Sequence, residues 1–408
     1  MKYYRIYLIV IATALGACGE HRQPAEASEQ PVLLSQTSRH ASCVYLTRDE
    51  KNLPLVSWCE VDEQTKQKQF FLAYFNADSN RFSESLSVPI EQSTSIHEEG
   101  MPKIAVKGNG TLIAVYETAA PVPKNQWAGF VRYRYSTDRG KTWSAPEYLA
   151  ADTSAGTDHS FASVTRLTDG EIGASWLDEG FDHKKPGRPV LFAKTNAENR
   201  FTREQLIDSV ACECCRTAIS CSANGRIRIL FRNILYDSVR DMSVAVSDDN
   251  GKSFSKAISF SKDGWVMNGC PHNGPSVASL DNNTYAAWYT GGDKKGVYYA
   301  ELSPDRQTLL KKEVSDRGRN IQLCVAPGGN RILAYSENNQ QADSFYSRIM
   351  LNKVDDGRFY TKELTAMQGH AAYPVIQALN DRSVVVAWSE NNKIYYSVVN
   401  TALIAKLL

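Results

Sequence analysis

His370–Glu390, HAAYPVIQALNDRSVVVAWSE, reads as two alternating, β-branched runs, PVIQAL and SVVVAW, joined by Asn380-Asp381. Alternation with a period of two marks half-buried strands, and a short Asn/Asp link between two such runs is a hairpin signal. The same unit recurs along the chain as SCVYLTRDEKNLPLVSWCE, MPKIAVKGNGTLIAVYE, FASVTRLTDGEIGASWLDE, RTAISCSANGRIRILFRN, GPSVASLDNNTYAAWYT and NIQLCVAPGGNRILAYSE. Its second run ends each time on an aromatic anchor: Trp58, Tyr116, Trp176, Phe231, Trp288, Tyr335 and Trp388, spaced 58, 60, 55, 57, 47 and 53 residues apart. A hairpin buries one face and is not stable alone, so a repeat of this length predicts copies packed against one another.

Each unit continues into a third run (FFLAYF, FVRYRYS, VLFAKT, MSVAVS, VYYAEL, YSRIML, KIYYSVV), and six of these lead into a turn and a fourth strand. Four strands per unit, repeated, predict an all-β propeller. The count gives seven blades over residues 31–408, with PVLLSQ near residue 31 as the expected fourth strand of the last.

Two of the turns are well formed: Ser136-Thr137-Asp138-Arg139-Gly140-Lys141-Thr142-Trp143 and Ser247-Asp248-Asp249-Asn250-Gly251-Lys252-Ser253-Phe254. Asp138 and Asp249 can accept from the amides of their own turns, Gly140 and Gly251 supply a positive φ, and Trp143 and Phe254 can plug the space between sheets. These turns resemble the Asp-box of the sialidase-like (BNR repeat) superfamily. The resemblance implies a propeller, six-bladed in sialidases, and an exo-α-sialidase-like glycoside hydrolase activity on sialic acid or a related acidic sugar. It also implies an active site opposite the Asp-boxes. Chain topology agrees, because the longest loops (117–129, 178–188 and 232–239) leave from that end.

That rim is rich in imidazoles and thiols. Counting back 16 to 19 residues from the anchors finds His40, His97, His159, His272 and His370. Chance would place about half a histidine in those windows. The unit lacking one carries Cys212-Glu213-Cys214-Cys215, and Cys270 stands two residues before His272. Neutral imidazole and thiolate suit copper or zinc. His97, His159, His272 and His370, with Cys212, Cys214, Cys215 and Cys270, are therefore candidate metal ligands. The layout is similar to the seven-bladed domain of nitrous oxide reductase, where a histidine ring holds copper. Equally, a repeated histidine can be structural, as in WD repeats.

A sialidase would need arginines for the sugar carboxylate, an activated tyrosine and an acid. The candidates at this rim are Arg232, Arg240, Asp178 and Tyr289, none at a diagnostic spacing, and the family's opening arginine motif is missing. A non-catalytic interaction platform is the third reading. DGWVMNGCPHNGPSV (263–277) is the most irregular stretch and reads as a shaped loop at the same face.

Residues 1–17 have the pattern of a signal peptide: Lys2 and Arg5, a short apolar run, then Leu15-Gly16-Ala17-Cys18. The last four resemble the lipobox of bacterial lipoproteins, which implies lipidation at Cys18, a tether over 18–30 and an outer-membrane location. Eight cysteines then remain in an oxidising setting; Cys43 and Cys59, symmetric about one hairpin, are a disulfide candidate. A net charge of +1 argues against a nucleic-acid binder held by phosphate contacts. The expected partners are the membrane through its anchor and a metal ion or an acidic glycan, and the chain is expected to be a monomer.

Overall fold

The computed structural model describes residues 30–180, 187–341, 344–367 and 369–407. Seven antiparallel sheets stand around an axis. The blades span residues 40–88, 103–148, 159–211, 218–259, 276–315, 318–363 and 371–400, the last completed by Val32–Leu33. Val32 pairs with Tyr396 and Leu33 with Tyr395, so the chain's first strand closes the ring on its last blade, as the sequence predicts. Lys406–Leu407 adds a fifth, outermost strand to the sixth blade and covers its edge.

The anchors fill the spaces between blades. Trp58, Trp176, Trp288 and Trp388 are all 1% exposed or less. Three of these indoles donate to a carboxylate two residues on: Trp58 to Glu60 (2.9 Å), Trp176 to Asp178 (3.0 Å) and Trp388 to Glu390 (3.0 Å). A buried indole N–H needs such an acceptor, so these rim carboxylates belong to the scaffold.

Both Asp-boxes form. Asp138 Oδ1 accepts from the Lys141 and Thr142 amides (3.1 and 2.9 Å), and Asp249 Oδ1 does the same with Lys252 and Ser253 (3.0 and 2.9 Å). Hydrogen bonds from Thr142 hold the Asp138 carboxyl down at about 2. Trp143 and Phe254 plug the cores below them. Gly251 has φ +82°, and a Cβ there would lie 2.8 Å from the Phe192 ring. The boxes share one end of the ring with the hairpin tips: Asn250 Nδ2 donates to Asp169 at 2.7 Å, and the Arg139 guanidinium contacts Glu50. The opposite end is left for the loops.

Candidate functional site

The connections entering the fourth and fifth blades meet on that opposite face. Cys214, Cys270 and His272 converge there, with their ligand atoms all within 4.8 Å of one another. Cys214 is buried; Cys270 and His272 are exposed. Behind them Cys212, Cys214 and Cys215 form a second trio, with Cys212 Sγ 3.9 Å from Cys214 Sγ and Phe161 packed alongside. The two neighbouring thiols and burial raise Cys214. The bond from Cys214 favours ionisation of Cys212, but Cys215 and burial outweigh it and push Cys212 up to about 12. Burial also opposes ionisation of Cys215, yet bonds from the other two thiols and the charge of Arg232 hold that thiol well below its ordinary value. The trio thus favours one thiolate stabilised by two thiols.

Local structure explains how loops from separate blades are fixed here. Arg232 is 1% exposed and donates to the carbonyls of Arg240 (3.0 Å), Asn273 (2.9 Å) and Tyr289 (2.7 Å), with its guanidinium 4.8 Å from the Trp265 ring centroid. It therefore pins the 263–277 loop at both ends. Glu99 makes the second knot. It is buried, ion-paired to Arg216, and accepts from the Arg216 amide (3.3 Å) and the Gly274 amide (2.8 Å). Gly274 has to be glycine, since a Cβ would lie 2.5 Å from the Arg216 carbonyl oxygen.

The histidines do not form a ring. His97 joins the cluster, its ring centroid 5.5 Å from that of His272. Its Nδ1 accepts from the Glu99 and Gly100 amides (3.2 and 3.3 Å), which places its proton on Nε2. His159 is buried instead, with Nδ1 2.7 Å from Asp178 Oδ2, Nε2 3.0 Å from Thr157 Oγ1, and its ring stacked on Phe130. Both its nitrogens are engaged by protein groups, away from the thiol cluster. His370 is exposed and stacks on Tyr346, and His40 is exposed at the start of its strand. Cys43 and Cys59 are both free, buried thiols. A bulge between Ser42 and Tyr45 puts Ser42, not Cys43, opposite Cys59, which removes the expected cross-strand pair. Cys18 and the leader lie outside the described residues.

That bulge recurs, and it identifies site residues the histidine count misses. The first strands of blades one, three, six and seven shift register at the same place. Cys43, Phe161, Asn320 and Tyr373, each fifteen residues before its anchor, have φ between 51° and 60°. Left-handed non-glycine residues repeated at one register are a built feature that re-aims side chains at the channel mouth. Met101 and Arg216 hold the same register in blades two and four. The fixed spacing was visible in the sequence, but no residue type marks it.

Around these positions sits a buried acid–base group. Burial, opposed by the Cys43 amide and reinforced by Glu99, raises Glu98 to about 7; its Oε1 accepts from Cys43 N (3.0 Å), while its buried Oε2 has no partner among the described residues. Burial likewise raises Glu117 to about 7 against the pull of Lys103, and Glu117 accepts from the Phe161 amide at 2.6 Å. Burial lowers Lys103 to about 8 against the opposing pull of Glu117. Two carboxyls and an ammonium brought near neutrality at one mouth are the kind of set acid–base chemistry uses.

The BNR repeat-like domain profile matches residues 62–386. The chain belongs to the BNR repeat-like family. A search among curated proteins finds no match. Among solved structures the BNR repeat-like chain is similar to a polysaccharide lyase, Uly1 (TM-score 0.55, 12% identity, 93% of this chain and 94% of that one). It is also similar to a Dyadobacter fermentans protein of unknown function (TM-score 0.52, 12% identity, 91% and 97%). The NanB sialidase of Streptococcus pneumoniae aligns at a TM-score of 0.49, with 10% identity over 87% and 85% of the two chains. The first two likenesses show a shared β-propeller fold.

Within this BNR repeat-like ring, the residues nominated for sialidase chemistry are occupied by structural tasks. Asp178 accepts from His159, Trp176 and the Gly180 amide (2.7, 3.0 and 2.7 Å). Tyr289 is buried, with Arg319 4.0 Å from its ring centroid. Arg240 donates from Nε to the Met267 carbonyl at 3.3 Å, and Arg232 is committed to three carbonyls as described.

Proposed function

We propose that this exported propeller binds a transition metal, copper or zinc, at the rim through Cys214, Cys270 and His272. The observation that carries the reading is the convergence of two thiols and one imidazole, from two different inter-blade connections, within 4.8 Å. Two sulfur donors and one nitrogen select a borderline or soft ion over magnesium or calcium. Three protein ligands, two of them exposed, leave a coordination position for water or substrate. His97 offers a protonated Nε2, so it is a hydrogen-bond donor beside the site rather than a fourth ligand. Cys212 and Cys215 pack behind Cys214, and binding a metal there has to overcome the rise they impose on its thiol. Lipidation at Cys18 would hold the domain on the outer membrane as a monomer with this rim exposed.

The test is a titration of the reduced domain, residues 31–408, with zinc against a chromophoric chelator, repeated for Cys270→Ser and His272→Ala. One tight equivalent that both substitutions weaken by tenfold or more supports the site. No tight equivalent in the reduced wild type, or unchanged binding in both variants, refutes it.

A second reading, an enzyme acting on an acidic glycan, is favoured by one observation: the Glu98, Glu117 and Lys103 group at the same mouth. Turnover of a sialoside or polyuronate that survives chelation and is lost in Glu117→Gln would select it.

A further inference from the structure

The axial channel holds a cavity of about 550 Å³, lined by the innermost strands of all seven blades. Its charged lining is one-sided. Arg48, Lys103, Arg166 and Arg216 face it, and among the described residues no carboxylate lines it. At the rim end the cations are balanced, Arg216 by its ion pair with Glu99 and Lys103 by the neighbouring Glu117. At the Asp-box end they are not: among the described residues neither Arg48 nor Arg166 makes an ion pair.

Those two guanidiniums, from blades one and three, converge on Asn52. Arg48 Nη1 donates to its carbonyl at 2.7 Å and Arg166 Nη2 to its Oδ1 at 2.6 Å. Arg48 Nη2 also donates to Ala378 O (2.6 Å), and turning the Gln377 amide gives Arg48 another neutral acceptor. Arg166 Nη1 donates to Asp49 O at 3.0 Å. Every one of these acceptors is neutral. The nearby carboxylates are committed elsewhere: Asp49 to the Lys51 and Leu53 amides (2.9 and 2.8 Å), Glu50 to Arg139, and Asp381 to the Gly328 amide. A guanidinium has five N–H donors in a planar fork, and Arg166 spends two of them here. Hydroxyls of Thr47, Thr165, Thr168 and Ser222 line the same walls, and the buried Ser220 Oγ there has no partner among the described residues. Two like charges facing one channel, with spare donors around them and only the neighbouring Asp49 carboxylate acting on Arg48, favour a further anion between them.

We propose that the channel is a second, separate binding site for a small oxyanion, a molecule carrying a carboxylate, phosphate or sulfate group, held between Arg48 and Arg166. It lies at the end opposite the thiol–imidazole cluster and does not depend on a metal there.

The experiment is isothermal titration of the full domain with inorganic phosphate, sulfate and citrate, each in a chloride background of constant ionic strength, alongside Arg166→Gln, Arg48→Lys and Arg48→Gln. Saturable one-to-one binding of at least one probe is expected, weakened tenfold or more in Arg166→Gln and less in Arg48→Lys, which keeps the charge, than in Arg48→Gln. Preference for phosphate or sulfate identifies a phosphoryl or sulfuryl ligand, and preference for citrate a carboxylate. Absence of saturable binding by all three, or equal affinity in a folded Arg166→Gln, overturns the proposal. Among the described residues Arg166 bonds only to one hairpin of blade one, so its variant keeps the test decisive if Arg48→Gln does not fold.

Discussion

Glu98→Gln should change how the stability of the ring depends on pH. In the folded chain the Glu98 carboxyl titrates at about 7 rather than 4.5. Between those values the folded state keeps a proton that the unfolded state has lost, so stability falls as pH rises through this window. Each tenfold difference in proton affinity between the two states is worth about 1.4 kcal/mol, so the ceiling on the loss is about 3 kcal/mol. Glutamine keeps an oxygen for the Cys43 amide and replaces the unpartnered Oε2 with a neutral NH₂, so it cannot titrate. Urea unfolding of wild type and variant from pH 4.5 to 8 should show the two close at the acid end. The wild type should then fall behind by up to that amount by pH 8. Glu117 contributes a parallel slope to both proteins and cancels in the difference. A difference that stays flat across the window, or one in which the wild type gains on the variant, would refute the claim that Glu98 is held protonated at the mouth.

Three further outcomes follow from the scaffold. Asp178→Ala leaves the buried His159 and Trp176 donors without an acceptor and should cost about 3–5 kcal/mol in a urea melt; a loss below about 1 kcal/mol would mean that Asp178 is not the buried partner described above. Gly251→Ala forces a left-handed residue against Phe192 and should destabilise by about 1–3 kcal/mol, and a neutral or stabilising result in thermal unfolding would contradict the Asp-box geometry. Cys18→Ser should move the full-length chain from the membrane fraction to the soluble fraction; continued sedimentation with membranes would remove the lipid-anchor reading.

The ring could be read from the sequence because everything that builds it is periodic. The seven anchors, the Ser136–Trp143 and Ser247–Phe254 turns and the closing strand at Val32–Leu33 each repeat a pattern or complete one. The site is aperiodic and was legible only in part. The histidines sit 16 to 19 residues before their anchors, and one residue of offset turns a side chain to the other face of a strand. Of His97, His159 and His272, that rule reaches only His159, which begins a strand and is sealed between blades; His97 and His272 lie on the connections before their strands, where they meet. The bulges at Cys43, Phe161, Asn320 and Tyr373 change the facing again, and no residue type announces them. Nothing in the sequence marks Glu98 and Glu117, because burial, which raises them, depends on loops from other blades. The cysteines were recognisable as a cluster, yet which of them meet depended on Arg232 and Glu99 pinning the 263–277 loop, a role that sequence reading assigned to catalysis for one and missed for the other. Lys406–Leu407 is too short to show a strand pattern and gains its structure from the open edge beside it.

Cys214, Cys270 and His272 are proposed to form one metal site. Elemental analysis of the untagged domain, purified from an exported expression without chelators and with free thiols counted in parallel, tests it most directly. Near-stoichiometric zinc or copper in the wild type and its loss in a folded Cys270→Ser/His272→Ala variant are the predicted results. A metal-free wild type with Cys214 and Cys270 joined as a disulfide would contradict the claim.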